Sequence, residues 1–185
     1  MLSADEVLRI LKGIPTSKFE PENVRRTLEG VVVQPGSLEP YLHFQRKSYT
    51  RNLIFRNEAF EFLALCWDEA SHSPIHNHSG QDCWFLVHQG EFCLKGFRIL
   101  EGGLEPGIAA LEHAESIHKA GAGSIDHRGP VNDIHQVTVS RGSDRAVSLH
   151  VYAKPFDDCL VYDLDGKSCQ RQRLKYHTID GRLVA

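Results

Sequence analysis

The chain has 185 residues, of which 41% are hydrophobic and 24% charged, so it is long and apolar enough for one packed domain, and disorder is not expected. Its formal net charge of -3, with no basic run, argues against a nucleic-acid surface. No stretch approaches the ~20 apolar residues of a membrane span. The acidic start MLSADEVLRI has no basic n-region and apolar core of the secretory kind, so a cytoplasmic protein is expected.

The first third reads as helical. Ser3 and Glu6 form a capping-box pattern ahead of Val7, Leu8 and Leu11, and Pro15 ends that helix. A second helix starts at Pro21, carries Val24 and Leu28, and stops at Gly30. A short helical turn is expected over Leu38–Leu42. From Tyr49 the pattern changes to strands: 51–54, the nearly continuous apolar run 60–67, 83–87, and 91–100 after a turn at His88-Gln89-Gly90. Two short strands, 108–112 and 116–119, precede the turn Ala120-Gly121-Ala122-Gly123. The strands 134–140, 146–153, 160–163 and 169–177 complete the set, the last two joined through Asp165-Gly166. Short strands at close spacing predict a barrel or sandwich. The reading is a mostly β chain forming a single domain over 1–185, with residues 1–45 as a small helical cap and 46–185 as the β-barrel.

The cysteines at 66, 83, 93, 159 and 169 suit neither a CxxC pair nor a disulfide scaffold and read as reduced thiols. Histidine is the outlier, with 11 copies. The most informative segment is His76-Asn77-His78, followed by Cys83 and Gly90. On an extended strand, side chains two apart share a face, so both imidazoles aim at one point, as a transition-metal site requires. His135, opening the strand His135-Gln136-Val137-Thr138-Val139, is a candidate third ligand; on the residues alone it is equally a strand-end histidine. Ser148, His150 and Tyr152 alternate along one strand and share a face. Either that face points inward as a hydrogen-bonded polar row, or it faces solvent while Val147, Leu149 and Val151 face the core.

His-x-His, with a glycine at a later turn, resembles the cupin superfamily, and Cys83 stands where most cupins carry a glutamate. That departure resembles the cysteine dioxygenases. Four segments match that family in order: Ser48-Tyr49-Thr50-Arg51-Asn52-Leu53; Cys66-Trp67 with Ile75-His76-Asn77-His78 and Cys83; Ile134-His135; and Ala146 to Tyr152, followed by Pro155-Phe156-Asp157 and Cys159. The resemblance implies a cupin-type, jelly-roll-like β-barrel holding Fe(II) on His76, His78 and His135. It implies oxidation of the thiol of L-cysteine to the sulfinate, with O2 as co-substrate. Cysteine would chelate through thiolate and amine, Arg51 would clamp its carboxylate, and Tyr49 and Trp67 would line the pocket. Tyr152 would face the reacting atoms, with His150 behind it, and Cys83 and Tyr152 would be able to join in a thioether crosslink. Taken singly, Arg51 also reads as a solvated arginine and Cys83 as a buried free thiol. Where the mammalian enzymes read Ser-Pro-Pro with a cis bond, this chain reads Ala153-Lys154-Pro155, which is expected to run trans. A monomer is expected. The alternatives are a dioxygenase of another small thiol such as 3-mercaptopropionate, and a non-catalytic metal-binding cupin module. His72, His88, His113, His118, His127 and His177 are expected to be structural or on the surface.

Overall fold

A computed structural model describes residues 1–130, 133–142 and 145–184. The helical cap comprises α1 (Ala4–Lys12) and α2 (Pro21–Leu28). The capping box forms as expected: Ser3 Oγ accepts from Glu6 N at 3.2 Å, and Glu6 Oε2 accepts from Ser3 N at 2.7 Å. The helical turn expected at Leu38–Leu42 appears as two 3-10 turns, Pro35–Ser37 and Glu39–Tyr41, each opened by a proline in its first positions.

The strands are β1 (Tyr49–Arg56), β2 (Phe60–Trp67), β3 (Ile75–His76), β4 (Cys83–Gln89), β5 (Glu91–Gly102), β6 (Gly107–Ala120), β7 (Ile125–Arg128), β8 (His135–Val139), β9 (Ala146–Ala153), β10 (Asp158–Asp163), β11 (Ser168–Arg173), β12 (Thr178–Ile179) and β13 (Arg182–Leu183). One sheet has the order β13-β12-β1-β2-β9-β4-β7. The other, β10-β11-β6-β5-β8-β3, closes on itself because β3 pairs with both β8 and β10.

The middle strands β2 and β9 are buried on both faces, apart from the end residue Ala153. That explains why Phe60 to Trp67 reads as a continuous apolar run. The outer face, with Phe60, Phe62, Ala64, Leu149 and Val151, packs under Val7, Leu11, Val24 and Leu28 of the helices. The inner face, with Leu63, Leu65, Trp67, Cys83, Phe85 and Tyr152, meets Phe92, Leu94, Val137 and Val139 of the second sheet. The helical cap therefore turns an ordinary half-exposed sheet into one with two cores.

Three of the differences from the sequence reading come from pairing with strands elsewhere in the chain. The expected pieces 108–112 and 116–119 are one 14-residue strand, β6, because bulges at Gly96/Phe97 and Ile99/Glu101 let its pairing with β5 continue through the break in alternation. The charged stretch Ile125–Arg128, not expected to be a strand, pairs with β4. The last long strand stops at Arg173; Leu174 N donates to Asp157 O at 2.8 Å, and the chain then returns to lay Thr178–Ile179 parallel to β1. Gly90 makes the tight turn into β5 at φ +82°, where a Cβ would lie 2.7 Å from that of Ala146. The Ala153–Lys154 bond is trans, as expected where no proline follows, and so is Lys154–Pro155. Among the described residues, no helix is long and apolar enough to cross a membrane.

Candidate metal centre and active site

The strand expected to carry both histidines of His76-Asn77-His78 ends at His76. Beyond it, side chains join one remaining backbone bond. Asn77 Oδ1 accepts from Leu160 N at 2.9 Å while Asn77 N donates to Leu160 O at 3.1 Å, and Asp133 Oδ2 accepts from His78 N at 2.9 Å. The chain thus stays extended through His78 before turning at Ser79 (φ 52°) and Gly80 (φ 74°). His135, at the start of β8, sits directly opposite His76 in the β3–β8 pairing.

The potential ligand atoms of His76, His78 and His135 all lie within 4.8 Å of one another. Burial lowers the basicity of each ring, His76 to about 4 and the other two well below the usual imidazole value, so all three are neutral lone-pair donors at neutral pH. Both ring nitrogens of buried His78, and Nδ1 of His135, have no hydrogen-bond partner among the described residues. Buried polar atoms left unsatisfied in this way are costly, and a shared metal ion would take one nitrogen of each ring. His76 Nδ1 lies 3.0 Å from Pro74 O, a bond that fixes its tautomer and leaves Nε2 to face the cluster. The donor set fits a metal, with no carboxylate in the group to neutralise the ion.

Beside the cluster runs a polar row from β9. Trp67 Nε1 donates to Ser148 Oγ at 2.9 Å, and Ser148 Oγ lies 2.9 Å from His150 Nε2. With Ser148 Oγ donating to His150 Nε2, the imidazole proton sits on Nδ1, 3.1 Å from the Tyr152 hydroxyl. Tyr152 then accepts, and its own O–H is free to point into the cavity. Burial keeps His150 neutral and holds the Tyr152 phenol protonated. The inward orientation, left open by periodicity, is decided here: Val151 and Leu149 face the helices, and Ser148, His150 and Tyr152 face the barrel interior. Cys83 is the direct cross-strand partner of Tyr152 and lies 3.8 Å from His150 Nδ1. Burial pushes its thiol well above the usual range.

Arg51 reaches the same cavity from β1, together with Tyr49, Trp67, Phe156 and Cys159. Tyr49 stacks on Trp67 at 4.5 Å between ring centroids. The sequence reading missed two residues here. Glu61 is fully buried, and its Oε1 accepts from Arg51 Nη2 at 3.1 Å. Tyr176, from the segment after β11, donates to Glu61 Oε2 at 2.5 Å. An acidic residue inside the apolar run Phe60-Glu61-Phe62 was the available signal for the first; nothing local marked the second. His127, expected to be structural, stacks on Trp84 at 5.2 Å and lies 2.8 Å from Asp82 Oδ1.

A family model described as cysteine dioxygenase type I matches residues 3–165. The chain belongs to the cysteine dioxygenase type I family. Cysteine dioxygenase type 1 of Danio rerio is 29% identical over 169 residues, spanning 86% of this chain and 78% of the relative. The Homo sapiens protein of that name is 29% identical over 167 residues, spanning 85% and 78%. Among solved structures, a Klebsiella pneumoniae protein with a double-stranded β-helix domain superposes with a TM-score of 0.47 at 13% identity, over 69% of this chain and 95% of its own. As a member of the cysteine dioxygenase family, the protein is an enzyme, a thiol dioxygenase of the cupin type acting on a small thiol. The non-catalytic module is thereby set aside.

Proposed function

We propose that the protein is an Fe(II)-dependent L-cysteine dioxygenase, converting the thiol and O2 to cysteine sulfinate with both oxygen atoms on sulfur. The observation that carries this reading is the placement of Arg51 in the same small cavity as the three clustered histidines. His76, His78 and His135 would hold the metal. Bound there, Fe(II) supplies a redox-active centre for O2 and a Lewis acid that favours the thiolate form of the substrate.

The chain's own groups do the rest. Arg51 holds the substrate carboxylate by charge-assisted hydrogen bonds, which orients the thiol toward the histidine cluster. Tyr49 and Trp67 form the wall beside it. Tyr152 directs its O–H into the cavity, where it donates to the reacting oxygen or the bound substrate, and His150 and Ser148 keep that proton aimed. The buried setting excludes bulk water and strengthens each of these contacts.

Cys83 and Tyr152, side by side on β4 and β9, are placed to join in a thioether once oxidised, with loss of two hydrogen atoms. The wild-type protein, matured with Fe(II), cysteine and O2, is expected to show that mass loss on the peptide pair, whereas Cys83→Ser shows none. Intact mass and peptide mapping check this, and a matured wild-type protein with no linked peptide would remove the crosslink from the reading.

The decisive assay is oxygen uptake by the Fe(II)-loaded protein, with product mass spectrometry, for L-cysteine and 3-mercaptopropionate offered separately. Uptake with cysteine sulfinate formed is the expected result. Uptake with 3-mercaptopropionate alone would replace the substrate. No uptake with either at full iron loading would overturn the proposal.

A further inference from the structure

The buried carboxylate of Glu61 touches Arg51 but has no role in the reaction as derived so far, and burying it is costly. It is the second residue of an otherwise apolar strand, fully buried, where an ionised group is tolerated only if it is paired. Its partners are all basic or hydroxyl groups: Arg51 Nη2 at 3.1 Å, Tyr176 OH at 2.5 Å and, more distantly, Arg56 Nη1 at 3.9 Å. Arg56 in turn donates to Tyr176 OH at 2.7 Å and to Asp157 Oδ1 at 2.9 Å, which ties the cluster to the turn after β9.

Glu61 itself does not line the cavity, whereas Arg51 does. Whatever Glu61 contributes to substrate recognition must pass through Arg51. The guanidinium is constrained on several sides. Its carbon lies 5.7 Å from the ring centre of Tyr152 and 5.8 Å from that of Tyr176, and Glu61 takes Nη2. Nε is buried with no partner among the described residues. A long, flexible arginine is therefore tethered at one nitrogen and packed near two rings, with donor capacity left over for a ligand.

We propose that Glu61 is a positioning residue that aims Arg51 at the substrate carboxylate and, with Tyr176, sets the enzyme's preference for thiols that carry one. The proposal rests on the reading of Arg51 as the carboxylate clamp. Glu61 offsets the arginine charge, so recognition depends on the aim of the remaining N–H groups more than on an uncompensated positive charge. Without Glu61 the side chain regains its rotamer freedom and the bonds to the carboxylate lose their geometry.

The test compares L-cysteine with cysteamine, which has the same thiol and amine and no carboxylate. The quantity read is the ratio of their kcat/KM values in the Fe(II)-loaded enzyme; if cysteamine turns over too slowly, its inhibition constant against cysteine replaces its kcat/KM. Glu61→Gln keeps the shape but loses the charge-assisted bond. It is expected to lower the ratio about 10-fold, through KM for cysteine and with metal content unchanged. Glu61→Leu is expected to lower it further, and Tyr176→Phe less. Adding Glu61→Gln to Arg51→Ala is expected to lower the ratio no further than Arg51→Ala alone. A ratio that stays the same or rises in Glu61→Gln, while Arg51→Ala collapses it, overturns the proposal and leaves the clamp standing. An unchanged ratio in Arg51→Ala overturns the clamp itself, and the proposal with it.

Discussion

His78→Ala is expected to abolish thiol oxidation and to remove tight Fe(II) binding. His78 is the cluster member with neither ring nitrogen partnered among the described residues, so its imidazole is the one whose burial is least explained by anything but a metal. A ligand that binds only the folded state at 100 times its Kd stabilises by about 2.7 kcal/mol, which for a chain of this length raises Tm by roughly 5–10 °C. The wild-type protein is expected to show that rise on Fe(II) addition and to lose it with a chelator. The His78→Ala variant is expected to melt at the same temperature with or without the metal. Differential scanning calorimetry with metal analysis reads both. A full metal-induced shift in the variant would take His78 out of the ligand set.

Arg51→Ala is expected to raise KM for L-cysteine by about 10- to 100-fold, the worth of a charge-assisted contact to a carboxylate, while metal content stays normal. The two effects separate because Arg51 lines the cavity but is not among the clustered metal-ligand atoms. Lysine is not expected to rescue it, since a single ammonium cannot keep the bond to Glu61 and present a second planar donor to substrate. Truncation also removes one of the bonds to buried Glu61, leaving it Tyr176 and the more distant Arg56, so the variant should be less stable than the wild type by about 1–3 kcal/mol. Steady-state kinetics at matched metal loading, with a melt of the same sample, measures all of this. An unchanged KM would remove Arg51 from the substrate site.

Local pattern carried much of the protein. The capping box at Ser3 and Glu6, the apolar run of β2, the glycine turn at Gly90 and the alternation of Ser148, His150 and Tyr152 were all readable, because each depends on residues a few positions apart. The convergence of His76 and His78 was readable for the same reason, although the strand ends at the first of them. Boundaries failed where pairing depended on a distant partner. β6 reads as two pieces until β5 is beside it, and the charged β7 becomes a strand only through β4.

The sequence by itself determined a mostly β chain with a helical cap, the inventory of histidines, and the polar row on β9, since backbone periodicity and residue chemistry are local properties. Only the tertiary structure decided which way that row faces, because the inner and outer faces of β9 are both buried and differ only in what packs on them. It also decided that Arg51 is paired with Glu61, and that Tyr176 closes on that pair from 115 residues further along the chain. Such contacts form because the folded sheet brings β1, β2 and the C-terminal segment together, and bonds between residues so far apart leave no periodic trace in the sequence.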